Sequence, residues 1–190
     1  MGYKVMYFPK IFPIFVKQST FHGVMKINNP TEWFPIVDEE GNTIGEAPRN
    51  VCHDGKSRLL HPVVHLCLYN SKGELFLQKR AITKDIQPGK WDTSVGGHIN
   101  PGESVEDALK REASEELGLK NFIPVFSGKY VWESPYEREL VNSFSTVTDE
   151  VPVINMDEIE EGRFWPLEEI KENLGHDIFT PNFEYEFEKK

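Results

Sequence analysis

The chain has 190 residues, 38% of them hydrophobic and 27% charged, with 21 Lys and Arg against 31 Asp and Glu for a net charge of −10. That length suits one domain, or one domain with an extension, and 13 Phe, 4 Trp and 6 Tyr supply enough apolar side chain for a core, which excludes global disorder. The acidic balance excludes a broad basic face for nucleic acid, but it leaves room for nucleotides because a divalent metal can supply positive charge locally. Two cysteines, Cys52 and Cys67, cannot make a disulfide scaffold and read as reduced thiols in a cytoplasmic protein.

Residues 1–31 read as an N-terminal extension peripheral to a domain over 32–190. Its aromatic run from Tyr7 to Val16 is broken by Pro9 and Pro13 and is too short for a membrane span. Gln18-Ser-Thr-Phe-His22 offers no small-residue cleavage site, and Met25 reads as a second start. From Glu32 onward the elements are short. Trp33–Asp38 and Asn42–Gly45 flank Gly41 as a hairpin. Pro62–Tyr69 is an apolar, β-branched strand, Asn70–Gly73 a turn, and Glu74–Arg80 a second strand. A polar loop runs through Pro88-Gly89 to Trp91. Ser104 to Gly118 is a helix with a Ser N-cap, acids in its first turn and Gly after its end. Strands follow at 122–132, 139–148 and 161–165, then a helix after Pro166. Thr180-Pro181 signals a last helix, while Phe183–Glu188 alternates like a strand, and both readings stay open. Short strands mixed with few helices predict an α+β or α/β sandwich with a mixed β-sheet, behind an N-terminal β-hairpin.

The 105–117 helix carries the chemistry. At about 100° per residue, Val105, Ala108, Leu109, Ala113 and Leu117 share the face expected to bury. Glu112 and Glu116 fall inside that sector, Glu115 at its edge and Arg111 just beyond. Two carboxylates four residues apart on a core-facing stripe repel each other and lose hydration. A hard divalent cation, Mg²⁺ or Mn²⁺, compensates this naturally through carboxylate oxygens.

The wider pattern is Gly97, five residues, Glu103, seven residues, then Arg111-Glu112-Ala113-Ser114-Glu115-Glu116-Leu117-Gly118-Leu119. It resembles the complete box that defines the Nudix superfamily, a match expected by chance well below roughly one time in a million from average composition. The flanks Leu75–Arg80, Pro88–Trp91, Gly96-Gly97 and Gly162–Ile170 extend the resemblance over roughly residues 32–175. The family implies an α/β/α sandwich and a metal-dependent hydrolase that cleaves a diphosphate linkage in a small molecule, typically a nucleoside diphosphate joined to another group. By position, Glu112, Glu115 and Glu116 would bind Mg²⁺ or Mn²⁺, and one would deprotonate water. Glu103 would support them or hold a second metal, Arg111 would orient the carboxylates, and Gly97 would let backbone approach the metal or phosphate.

Within that superfamily, Leu59-Leu-His61, Leu68–Leu75, Pro88–Val95 and Gly97-His98 resemble type I isopentenyl diphosphate isomerase. The resemblance implies a metal site at His53, His61, His98, Glu137 and Glu139, the last two on one face of an alternating strand. The isomerase's catalytic Cys would stand at Gly96, where glycine has no side chain to move a proton. Cys67, on the 62–69 strand, would have to be relocated to help. The hydrolase expectation therefore stands first, an isomerase second and a non-catalytic diphosphate sensor third. Candidate substrate-binding residues are Arg80, Trp91, Tyr136 and Arg138, with Tyr130 and Trp132 as further aromatics for base stacking. A homodimer through the N-terminal hairpin is left open by the sequence.

Overall fold

The computed structural model describes residues 32–84 and 86–189, and the expectations for residues 1–31 lie outside these. The described chain begins as a hairpin, β1 (Trp33–Val37) and β2 (Thr43–Pro48), followed by one helical turn, α1 (Arg49–Cys52). The Asp38 carboxylate closes the hairpin turn by accepting from the Asn42 backbone N–H at 2.8 Å and its side-chain amide at 2.9 Å. The remaining elements are β3 (Leu60–Tyr69), β4 (Leu75–Arg80), β5 (Trp91–Asp92), β6 (Val95–His98), α2 (Val105–Leu117), β7 (Val125–Glu133), β8 (Arg138–Val147), β9 (Ile159–Trp165), α3 (Leu167–Asn173) and α4 (Pro181–Glu188).

β3 is the hub of a mixed, seven-stranded sheet. It runs parallel to β8 along its whole length and antiparallel to β6 from Val63 to Leu66. It meets β4 at a single pair, Tyr69 and Leu75, and β4 takes β9 and β5 as partners instead. β3 is buried on both faces because both are covered. Val64, Leu66 and Leu68 pack with Leu109, Ala113 and Leu117 of α2. Cys67, of opposite parity, packs with Ile170 of α3 and Phe183 of α4. Each such fully buried Leu or Phe is worth about 1.5–3 kcal/mol. This is the expected sandwich.

Local chemistry fixes the helix boundaries. Ser104 accepts from Asp107 N–H at the start of α2, and Gly118 ends it in the left-handed conformation at φ +66°. The open reading at 183–188 resolves as a helix: Thr180 Oγ1 accepts from Phe183 N–H at 3.2 Å and Pro181 occupies the first turn. Phe183 and Glu186, three apart, both turn inward. The sequence reading missed α1, β5 and β6, which are four, two and four residues long. β6 is Val-Gly-Gly-His, with no β-branched run to announce it, and it is a strand because β3 supplies its ladder. Among the described residues no helix is long and apolar enough to cross a membrane.

Candidate active site

The buried face of α2 carries Ala108, Leu109, Glu112, Ala113, Glu116 and Leu117, so two carboxylates enter the interior with the apolar stripe. Glu112 lies against β6 so closely that a Cβ at Gly97 would sit 2.1 Å from its carboxyl carbon. Glu116 Oε2 accepts from Gln78 Nε2 at 3.1 Å and from Gly96 N–H at 3.3 Å. Burial, then the neighbouring Glu112 and Glu158 charges, push the Glu116 carboxyl up to about 8. Glu158, which the sequence reading missed, is buried beside this group and 3.4 Å from Lys84 Nζ. Its signal was absent because it stands far along the chain, just before β9.

Arg111 ties the carboxylates together. Its Nε and Nη2 donate to the two Glu103 oxygens at 2.7 and 2.8 Å, Nη2 also donates to the His98 carbonyl at 2.8 Å, and Nη1 bonds Glu112 Oε1. Glu115 Oε2 lies 3.6 Å from Nη1, with the Glu115 side chain 39% exposed. The Arg111 hydrogen bonds hold Glu103 below the usual carboxylate range. Glu103 also accepts from Asn100 N–H at 2.9 Å, which fixes the loop between β6 and α2.

On the other side of β6 a second cluster forms. The ligand atoms of His53, His61 and His98 lie within 4.8 Å of one another, as do those of His61, Glu137 and Glu139. The structure thus brings together all five residues of the second constellation. Phe34 of β1 backs them, its ring parallel to His98 at 4.0 Å and stacked on His61 at 5.3 Å. The hairpin therefore serves as a wall of the site, a role its sequence did not signal. Gly55, at φ +69°, donates to the Tyr136 carbonyl at 3.0 Å and leaves no room for a side chain against Pro135 O, which draws His53 toward Glu137. Burial and the nearby Arg49 push His53 down to about 3 and His61 to about 4, and His98 lies well below the ordinary value. Burial raises Glu137, and burial together with the Glu137 charge raises Glu139.

The donor set fits a cation. The Nε2 atoms of His53, His61 and His98 are buried without a hydrogen-bond partner, and His61 Nδ1 donates to the Leu59 carbonyl at 3.2 Å, leaving its Nε2 lone pair inward. Neutral imidazoles with carboxylates suit Zn²⁺ or Mn²⁺, while the all-carboxylate box suits Mg²⁺ or Mn²⁺.

A cavity of about 760 Å³ opens onto the histidine–glutamate cluster and the Gly96-Gly97 strand, and the box residues Glu103, Arg111, Glu112, Glu115 and Glu116 lie behind that strand rather than in the cavity lining. Arg49, His53, Arg80, Lys84, Gly96, Gly97, Trp132, Tyr136, Glu137 and Glu139 line it, so Arg80 and Tyr136 of the four candidate substrate-binding residues face this cavity. Arg80 Nη1 is anchored on Asp92 at 2.9 Å. Trp91 and Arg138 are placed elsewhere. Trp91 packs edge-on against Trp165 at 5.0 Å, and Arg138 pairs with Glu39 and Glu133 at the surface, so neither lines the cavity. Cys67 is buried 3.8 Å from Thr93 Oγ1.

A family model described as the NUDIX domain matches residues 59–183. The chain is 34% identical over 128 residues to an uncharacterized Nudix hydrolase of Pseudomonas aeruginosa, covering 67% of this chain and 75% of that one. It is 32% identical over 160 residues to an isopentenyl-diphosphate Delta-isomerase of Photorhabdus laumondii, covering 80% of this chain and 90% of the other. In fold it superposes on the DR0079 protein of Deinococcus radiodurans with a TM-score of 0.70 at 23% identity, over 83% of this chain and 98% of that one. With a matched domain across most of the chain, a complete box running from β6 through α2 and relatives of this identity and coverage, the chain belongs to the Nudix hydrolase family.

Proposed function

We propose that this protein is a metal-dependent hydrolase that cleaves the diphosphate linkage of a nucleoside diphosphate derivative by attack of water at phosphorus. The observation that carries this reading is the buried carboxylate pair Glu112 and Glu116, packed directly behind the Gly96-Gly97 strand that lines the cavity. Arg111 supplies one cation to Glu112, while burial and the Glu112 and Glu158 charges still disfavour the charged form of Glu116, so a further cation at the pair would be stabilising. Mg²⁺ or Mn²⁺ bound there would neutralise phosphate charge and acidify a water. The protein's own part is positioning. Arg111 fixes Glu103 and Glu112 through its fork, while Gln78 and Gly96 N–H fix Glu116. One box carboxylate takes the proton of the attacking water. Arg80 and Lys84 place positive charge along the cavity for the phosphates, and Trp132 and Tyr136 offer aromatic faces for the organic group.

A second reading, a prenyl diphosphate isomerase, is favoured by one observation, the assembly of His53, His61, His98, Glu137 and Glu139 into one cluster. Gly96 argues against it, since no thiol stands on that strand to face a carbon skeleton. Incubating the protein with a diphosphate panel and Mg²⁺ or Mn²⁺, isopentenyl diphosphate included, separates the readings. Phosphate-bond cleavage supports the hydrolase. A shifted double bond supports the isomerase. Binding without either product supports a sensor and overturns both.

A further inference from the structure

β3 alternates, and the parity that sends Val64 and Leu66 to α2 sends His65 to the opposite face, beneath α4. There His65 Nδ1 lies 2.7 Å from Glu186 Oε2, both side chains being buried. Glu186 Oε1 also accepts from Ser143 Oγ of β8, and Glu186 Oε2 lies 3.2 Å from Tyr130 OH of β7. Tyr130 OH lies 3.0 Å from Asn182 Oδ1, and Asn182 Nδ2 donates to Glu139 Oε2 at 3.1 Å. Between an imidazole and a carboxylate the ring nitrogen is the more basic atom, so Nδ1 of His65 carries the hydrogen in their bond. Nε2 is then the nitrogen left for a ligand.

The position of Nε2 shows which ligand. His65 pairs with Gly96 across the β3–β6 ladder, and a Cβ on Gly96 would lie 3.7 Å from Nε2. The N–H of the same Gly96 donates to Glu116 Oε2. Gly96 thus lies between the box carboxylate and the imidazole, and both Gly96 and His65 line the cavity. We propose that His65 is a substrate-binding residue that donates Nε2–H to an oxygen of the diphosphate, with Glu186 as its positioning residue. Donation of Nε2–H to the diphosphate while Nδ1–H is held by Glu186 places a hydrogen on each ring nitrogen in the complex. The absence of a side chain at position 96 keeps the approach to Nε2 open. This deepens the hydrolase reading and rests on its substrate class.

The alternative is a strut that only pins α4 to the sheet. Full-length protein labelled with ¹⁵N-histidine, with Mg²⁺ and methylenediphosphonate as a diphosphate that is not cleaved, separates the two. The His65 ring signals are identified by their loss in His65→Gln. The proposal expects Nε2 of His65 to shift to the protonated position on titration. It also expects methylenediphosphonate affinity to fall about tenfold in His65→Gln and in Glu186→Gln. Gly96→Ala covers Nε2 but leaves the His65–Glu186 bond intact, and the same loss is expected there without a loss of melting temperature. An unmoved His65 signal, with affinities within twofold of wild type in all three variants, overturns the proposal even where melting temperatures fall. Because these readouts need no turnover, they stand apart from the hydrolase test. A wild type that cleaves nothing refutes the hydrolase, and a cleaving enzyme with an unmoved His65 refutes only this contact.

Discussion

Gly97→Ala isolates the geometry that joins β6 to the box. The added Cβ would lie 2.1 Å from Glu112 Cδ and 2.4 Å from Cγ and Oε1, against ordinary contact distances of 3.4 Å or more. The Glu112 carboxyl must therefore withdraw by at least about 1.3 Å, since packed interiors offer no slack of that size. The clashing atoms are the far end of a flexible side chain, so the cost to folding is limited to about 1–3 kcal/mol, a fall of roughly 2–12 °C in melting temperature at this chain length. The cost to the site is larger, because a displacement near 1 Å at a reacting centre costs about 10²-fold. Mn²⁺ binding followed by electron paramagnetic resonance, with turnover on the best substrate, should show a loss of that order in a protein that still melts cooperatively. Mn²⁺ affinity and turnover within twofold of wild type would refute the claim that Gly97 is there to seat Glu112.

Arg111→Lys keeps the charge but loses the fork that grips Glu103, Glu112 and the His98 carbonyl, and turnover should fall at least about tenfold, one lost charge-assisted contact or more, as steady-state kinetics will show. In metal-free protein the Glu116 carboxyl holds its proton to about 8, while the unfolded chain releases it near 4.5. The native state therefore binds more protons between those values, and stability falls as pH rises through that window. Glu116→Gln should melt higher than wild type at pH 8 in a chelator and about equally at pH 4.5. Phe34→Ala opens a void behind His61 and His98, costing about 3–5 kcal/mol by denaturant titration and weakening Co²⁺ binding at the histidine cluster by absorption spectroscopy.

The box was legible because spacing on one helix is a local property. Ser104, Gly118 and the 3.6-residue stripe placed Glu112 and Glu116 on the buried face before any coordinates. The histidine cluster became legible only through resemblance, since His53, His61, His98, Glu137 and Glu139 are scattered over 87 positions and meet through β3, β6, β8 and the Gly55 loop. Phe34, Glu158, His65 and Glu186 were not legible at all. Each is an ordinary residue in sequence and gains its role from a neighbour far along the chain, as His65 does from a helix that begins at Pro181. Trp91 and Arg138 were drawn by residue type alone, and the fold gave one to the Trp165 cluster and the other to surface acids. Aromatic and cationic character names a candidate, but the partner across the sheet decides where it stands.

The central claim is attack of water at phosphorus, dependent on the box carboxylates. Its most direct measurement is turnover of the best panel substrate in H₂¹⁸O with Mn²⁺, for wild type and for Glu116→Gln. The account predicts one ¹⁸O on a single phosphate product for wild type, and no product from a Glu116→Gln protein that remains folded. Undiminished turnover in Glu116→Gln, or cleavage without label on phosphorus, would contradict it.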